Sequence, residues 1–174
     1  MKRVLVTGPE STGKTELVNY LSERYGGVAV EEYARAYVEG LDRSYTFEDV
    51  EHIARQQLSS YEKEYPGSDW VFFDTWLMIT RVWFEVVYQC VPQWLDDAMR
   101  EAKFDLVLLC APDLPWVADR VRENGGEQRE RLFKRYENEL KSFGMDWELV
   151  SGSGEARFLL AEEIINRKLG YGTI

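Results

Sequence analysis

The run Gly8-Pro9-Glu10-Ser11-Thr12-Gly13-Lys14-Thr15 fits the pattern GxxxxGK[ST]. Glycines at that spacing let a backbone fold around an anion, so that successive amide N–H groups and a helix N-terminus point at a β-phosphate. Lys14 adds a mobile point charge that can follow a γ-phosphate, and the Thr15 hydroxyl is placed to bind Mg²⁺. The four fixed positions match by accident in under roughly 1% of chains this long. The plain alternative is a Gly-rich turn followed by an exposed lysine. It leaves unexplained why the run lies between a hydrophobic strand and an amphipathic helix, where a phosphate-binding loop belongs. All of Gly8 to Thr15 is therefore expected to line a site for ATP or GTP.

Asp74 closes the apolar run Trp70-Val71-Phe72-Phe73, at the strand end where open parallel sheets bind ligands. Phosphoryl transfer needs a carboxylate near the metal, either to hold its water shell or to take a proton from the attacking hydroxyl. Asp74 is the candidate for both, sharing the metal with Thr15 and catalysis with Lys14; its plainer role is to cap the next helix. Arg120, Arg122, Arg129 and Arg131, with Lys134 and Arg135 behind them, flank Asn124-Gly125-Gly126. In an acidic protein this predicts an Arg-rich lid over the phosphates, with Arg122 and Arg129 as the catalytic cations. The interleaved Glu123, Glu127 and Glu130 equally describe a solvated, ion-paired helix.

The acceptor side is less explicit. Glu31, Glu32, Tyr33 and Arg35 follow the second strand and face the same crevice as the loop; Glu32, Tyr33 and Arg35 are the candidate contacts, although acids at a helix start have an ordinary explanation. Trp76 and Trp83 can wall a pocket for a planar ring, or simply belong to the core. The turn Ser151-Gly152-Ser153-Gly154 follows the last strand, and Gly152 is the candidate adenine contact. His52 has no partner motif and is assigned no role.

Alternating apolar runs and amphipathic stretches supply the scaffold. Strands are expected at Arg3 to Thr7, Val28 to Val30, Trp70 to Phe73, Asp105 to Cys110 and Trp147 to Val150. Helices are expected from about Lys14 to Arg24, after Glu31, from Thr46 to Glu64, from Thr75 to Cys90, from Trp94 to Ala102, after Pro115, from Arg129 to Phe143 and from Glu155 to Leu169. In the helix after Asp74, the positions Trp76, Ile79, Trp83, Val86, Val87 and Cys90 predict one inward face. The sum is an α/β fold: one P-loop kinase-type domain over residues 1–174, with a doubly wound, mostly parallel five-stranded sheet flanked by helices.

Composition narrows the function classes. With 174 residues, 45% of them hydrophobic, the chain can bury one core but not two. The net charge of -10 argues against a nucleic-acid partner, because phosphate backbones are held by clustered Lys and Arg. Cys90 and Cys110 sit in apolar surroundings and read as small core residues. No signal peptide or membrane-length run is present, so a cytoplasmic location is expected. Oligomeric state has no signature in the sequence.

Several segments occur in the same order as in a known family. Gly-Pro-Glu-Ser-Thr-Gly-Lys-Thr (8–15), Glu-Tyr-Ala-Arg (32–35), Phe-Phe-Asp-Thr (72–75), Val-Trp-Phe-Glu-Val-Val-Tyr (82–88), Pro-Asp-Leu-Pro-Trp (112–116) and Arg-Leu-Phe-Lys-Arg-Tyr (131–136) resemble the NadR-like ribosylnicotinamide kinases over almost the whole chain. That resemblance implies ATP-dependent, Mg²⁺-assisted phosphorylation of a small riboside, nicotinamide riboside, to its mononucleotide. The larger members carry an adenylyltransferase domain ahead of the kinase; the loop strand begins at the N-terminus here and His52 is the lone histidine, so no His-x-Gly-His signature and no such domain is expected. Several members also place a second acid directly after Asp-Thr, where this chain has Trp76.

Two other readings stand beside this one. A nucleotide or different nucleoside kinase shares the donor site, but a monophosphate acceptor needs extra cations, and the arginines between the second strand and Asp74 are only Arg35, Arg43 and Arg55. A nucleotide-sensing module would keep the loop and turn over poorly.

Overall fold

The computed structural model describes residues 1–117 and 125–170. Five strands, β1 (Lys2–Thr7), β2 (Val28–Val30), β3 (Trp70–Asp74), β4 (Leu106–Cys110) and β5 (Trp147–Val150), form one sheet in the order β2-β3-β1-β4-β5. Every pairing in it is parallel, as near-continuous apolar strands require when both faces are covered. The sequence-expected α/β fold is the observed one. Register matters most at the carboxyl edge, where Val6 is opposite Asp74 and Thr7 opposite Leu109. The chain leaving β1 therefore emerges beside Asp74, at the point where successive crossovers diverge to opposite sides of the sheet.

Alternation along the strands splits the core into two layers. Leu5, Val71, Phe73, Val107 and Leu109 face α3 (Phe47–Glu62), α4 (Leu77–Trp83), α5 (Gln93–Glu101) and α6 (Glu127–Ser142). Val4, Val6, Phe72, Leu106, Leu108 and Cys110 face α1 (Lys14–Tyr25) and α7 (Gly154–Leu169). Each such side chain contributes about 1.5–3 kcal/mol by leaving water, which makes the central strands a rigid base for the loops above them. The short α2 (Tyr33–Glu39) follows β2. Thr46 starts α3 with a reciprocal capping box: its hydroxyl accepts from the Asp49 N–H, and the Asp49 carboxylate accepts from the Thr46 N–H.

The helix after Asp74 departs from expectation. It is α-helical only to Trp83, then widens into a π-turn over Phe84–Tyr88 and ends at Gln89 with φ 52°. A π-turn inserts one residue per turn and rotates everything after it. Phe84 turns inward in consequence, while Val86 and Val87 are 51% and 48% exposed and Cys90 is exposed, against the predicted inward face. Cys110, by contrast, is fully buried. The helix expected after Pro115 falls largely outside the described residues, and Trp116 and Val117 are irregular.

Candidate active site

The loop after β1 owes its shape to a few backbone positions. Gly8 has φ 141°, and a Cβ there would come within 2.8 Å of the Cys110 carbonyl oxygen, so the loop and the end of β4 approach too closely for any side chain. Gly13, at φ 71°, is the left-handed residue that opens α1. Ser11 is also left-handed, with φ 54°. Three loop carbonyls, those of Pro9, Ser11 and Thr12, are held by hydrogen bonds. Pro9 O accepts from Lys14 Nζ and from Thr12 Oγ1, each at 2.8 Å; Ser11 O accepts from Arg129 at 3.3 Å, and Thr12 O from Arg157 at 2.7 Å. A trans peptide points its C=O and the following N–H in opposite directions. Fixing the Ser11 and Thr12 carbonyls thereby also fixes the opposite direction of the Thr12 and Gly13 N–H groups.

Thr15 Oγ1 donates to Asp74 Oδ2 at 2.5 Å, joining the first turn of α1 to the end of β3. Asp74 is 3% exposed, and its second oxygen, Oδ1, is buried with no hydrogen-bond partner among the described residues. Burial pushes its carboxyl above the ordinary range, offset in part by the Thr15 hydroxyl, Lys14 and Arg35, while Glu31 pushes the same way as burial. Next to it, Thr75 is held at φ 61°, a left-handed conformation unfavourable for a β-branched residue. Strain of this kind collects at functional sites. A hydroxyl and a carboxylate this close form a hard-oxygen donor pair that suits Mg²⁺, which takes one or two protein oxygens and completes its shell with phosphates and water. Among the described residues no cluster of three or more His, Cys, Asp or Glu could hold a metal on its own.

The expected acceptor residues separate. Glu31, Tyr33, Gln57, Asp74 and Trp76 line one narrow crevice with room for roughly one water molecule. Glu32 precedes α2 as its N-cap residue. Arg35 pairs with Glu39 at 3.0 Å. Trp76 does not offer a ring face to a ligand: it is 1% exposed and packs on Tyr61 and Phe104, because as N-cap residue of α4 it points under the sheet edge. Trp83, two turns further, is half-buried and edge-on to Tyr45. His52, assigned no role from sequence, lies 2.9 Å from the Tyr33 hydroxyl.

The arginine-rich segment also divides. Arg122 and Arg120 lie outside the described residues. Arg129 reaches the loop, but onto the carbonyls of Ser11 and Pro112. Arg131, Lys134 and Arg135 pair with Glu127, Glu137 and Glu85, which is the solvated-helix alternative. Two residues of the site carry no role in the sequence reading, Arg157 and Asp113, although Asp113 lies within the quoted run Pro-Asp-Leu-Pro-Trp (112–116). A signal existed for the first: Arg157 shares the buried stripe of α7 with Ala161, Ile164 and Ile165, and a charge on an apolar stripe needs a charged partner. Asp113 is that partner, at 2.8 Å. Gly152 donates to the same carboxylate at 2.6 Å, so the turn after β5 leans on the loop that follows β4.

A family model described as an AAA domain matches residues 3–157. The chain belongs to that family. Over 98% of its length it is 27% identical to the trifunctional NAD biosynthesis/regulator protein NadR of Salmonella typhimurium, of which it covers 43%. It thus spans less than half the length of the curated relative it matches. Among solved structures, NadR in complex with NR superposes with a TM-score of 0.83 at 24% identity, over 99% of this chain and 53% of that one. Deoxyadenosine kinase from M. mycoides superposes at 0.64 and 16% identity, over 95% of this chain and 98% of that one. The fold is that of P-loop kinases, and the resemblance to NadR read from the motifs extends over nearly the whole chain.

Proposed function

We propose that this chain is an ATP-dependent kinase that transfers the γ-phosphate to the 5′-hydroxyl of nicotinamide riboside, giving nicotinamide mononucleotide. The observation that carries the reading is the pair Thr15 and Asp74 at 2.5 Å, set at the end of the phosphate loop, with Asp74 Oδ1 unpartnered among the described residues. Amide groups of Gly8 to Thr15 bind the β-phosphate, and Lys14 exchanges its carbonyl for the γ-phosphate as the latter moves. Thr15 and Asp74 hold Mg²⁺; when bound, it neutralises charge on the phosphates. Asp74 Oδ1 then orients the acceptor hydroxyl or takes its proton. Arg129, released from Ser11 and Pro112, is the described cation able to reach the transferring group, and the assignment of Arg122 beside it rests on the sequence alone. The Gly152 turn is the proposed adenine contact.

The choice of acceptor draws on likeness to NadR and on charge. The three arginines between β2 and Asp74, Arg35, Arg43 and Arg55, pair with Glu39, Asp49 and Glu51. A monophosphate acceptor would have to break one of these pairs, whereas a riboside with a pyridinium ring adds no negative charge and suits a protein of net charge -10. Glu32, Tyr33 and Arg35 are the proposed riboside contacts, and Trp83 remains the aromatic wall nearest solvent. Incubation with Mg-ATP and a panel of nicotinamide riboside, adenosine, cytidine and nucleoside monophosphates tests the assignment. Mononucleotide formed fastest from nicotinamide riboside is the expected result; faster turnover of another acceptor removes the substrate assignment and leaves the kinase.

A further inference from the structure

Arg157 is 2% exposed, the most buried charged side chain described. Its Nη1 donates to Asp113 Oδ1 and to the Gly152 carbonyl, both at 2.8 Å; its Nη2 donates to the Thr12 carbonyl at 2.7 Å and to the Ala111 carbonyl at 3.2 Å. Asp113 Oδ2 accepts the Gly152 N–H at 2.6 Å. The remaining nitrogen, Nε, is buried without a partner among the described residues and stands 3.9 Å from where a Cβ on Gly13 would lie, against the back of the phosphate loop.

One guanidinium therefore joins three segments that leave the carboxyl edge of the sheet: the loop after β1, the segment after β4 and the turn after β5. Burying a charge is costly, and an apolar side chain of similar volume would fill the same space at lower cost if packing were the whole purpose. What an apolar residue cannot do is fix peptide orientation. By holding the Thr12 carbonyl, Arg157 fixes the orientation of the Thr12–Gly13 peptide, with the Gly13 N–H directed the opposite way. By holding Gly152 from one side while Asp113 holds it from the other, it sets the distance between the phosphate cradle and the 151–154 turn.

We propose that Arg157 and Asp113 are positioning residues for the nucleotide: Arg157 aligns the phosphate-binding amides, and the pair registers the Ser151 to Gly154 turn against them so that a purine base is gripped together with its triphosphate. This rests on the nucleotide-binding part of the function proposed above. The two residues divide the work in a way that can be measured. Among the described residues Asp113 is hydrogen-bonded only to the turn and to Arg157, while Arg157 reaches the loop as well.

The experiment is calorimetric titration of ATP, GTP and inorganic tripolyphosphate, which has no base, into the wild-type protein and the D113N, R157K and R157M variants, with melting curves for each. D113N is expected to weaken ATP about tenfold while leaving tripolyphosphate within about twofold, and to narrow the ratio of ATP to GTP affinities. R157M is expected to weaken ATP and tripolyphosphate alike, with R157K recovering part of the tripolyphosphate binding. A general structural role would lower melting temperature and move all ligands together. D113N protein that melts normally and binds ATP and tripolyphosphate with unchanged ratio overturns the proposal. Failure of the wild type to bind either ligand overturns the nucleotide-binding reading itself, a distinct result. If R157M does not fold, D113N and R157K still decide.

Discussion

Thr15 and Asp74 are 59 positions apart in the chain and joined by a 2.5 Å hydrogen bond. The parallel register that sets Val6 against Asp74 makes the bond possible, since the loop leaving β1 returns its eighth residue to the neighbouring strand end. If the two act as one metal-holding unit, their removal is not additive. T15A and D74N are each expected to lower kcat by about 10²–10³, and the double variant by little more than the worse single one. Steady-state kinetics of the four proteins in Mg-ATP measure this; full multiplication of the two losses would mean independent roles.

Gly8 is fixed by the approach of its backbone to β4. G8A places a methyl 2.8 Å from the Cys110 carbonyl and at a φ of 141° that alanine avoids. The variant is expected to lose more than about 1 kcal/mol of stability, read from urea unfolding, and ATP affinity with it. Unchanged stability would contradict the packing of loop against strand.

Asp49 predicts how part of the stability depends on pH. Its carboxylate accepts from Arg43, the Thr46 N–H and Tyr37, and the Arg43 guanidinium and the Thr46 N–H hold its pKa well below the usual carboxylate range. A depressed pKa means the folded state binds this proton less readily than the unfolded chain. The stabilisation is then complete above the unfolded value of about 3.9 and is lost as pH falls from there through the folded value. Wild type is expected to melt above D49N at neutral pH, with the gap closing below about pH 4. Parallel melting curves across that range would contradict it.

The π-turn makes its own forecast. Cys90 is exposed and Cys110 fully buried, with its thiol pKa raised by burial. Ellman's reagent is expected to modify one thiol promptly in the native protein and both in denaturant. A C90A variant should be unreactive until unfolded.

How much of this could be read in the sequence follows from how local each feature is. The five strands and the phosphate loop are local signals, carried by apolar runs and by glycines whose φ values the loop demands, and the sheet matched them. Asp74 was placed by its position at a strand end. The inward face after Asp74 was misread because periodicity assumes 3.6 residues per turn, and the π-turn at Phe84 shifts everything beyond it. Trp76 belongs to the core, the plainer of its two sequence readings, and it does so as the N-cap residue of a helix that begins only at Leu77. Arg157 and Asp113 are 44 positions apart and meet only because β4 and β5 are neighbours. No spacing rule reports such a pair.

The central claim is tested most directly by following labelled γ-phosphate from ATP to nicotinamide riboside, with wild type and D74N side by side in Mg²⁺. The account predicts labelled mononucleotide from the wild type and at least about a hundredfold slower transfer by D74N. Intact ATP after hours with nicotinamide riboside and every other riboside, or equal transfer by D74N, would contradict it.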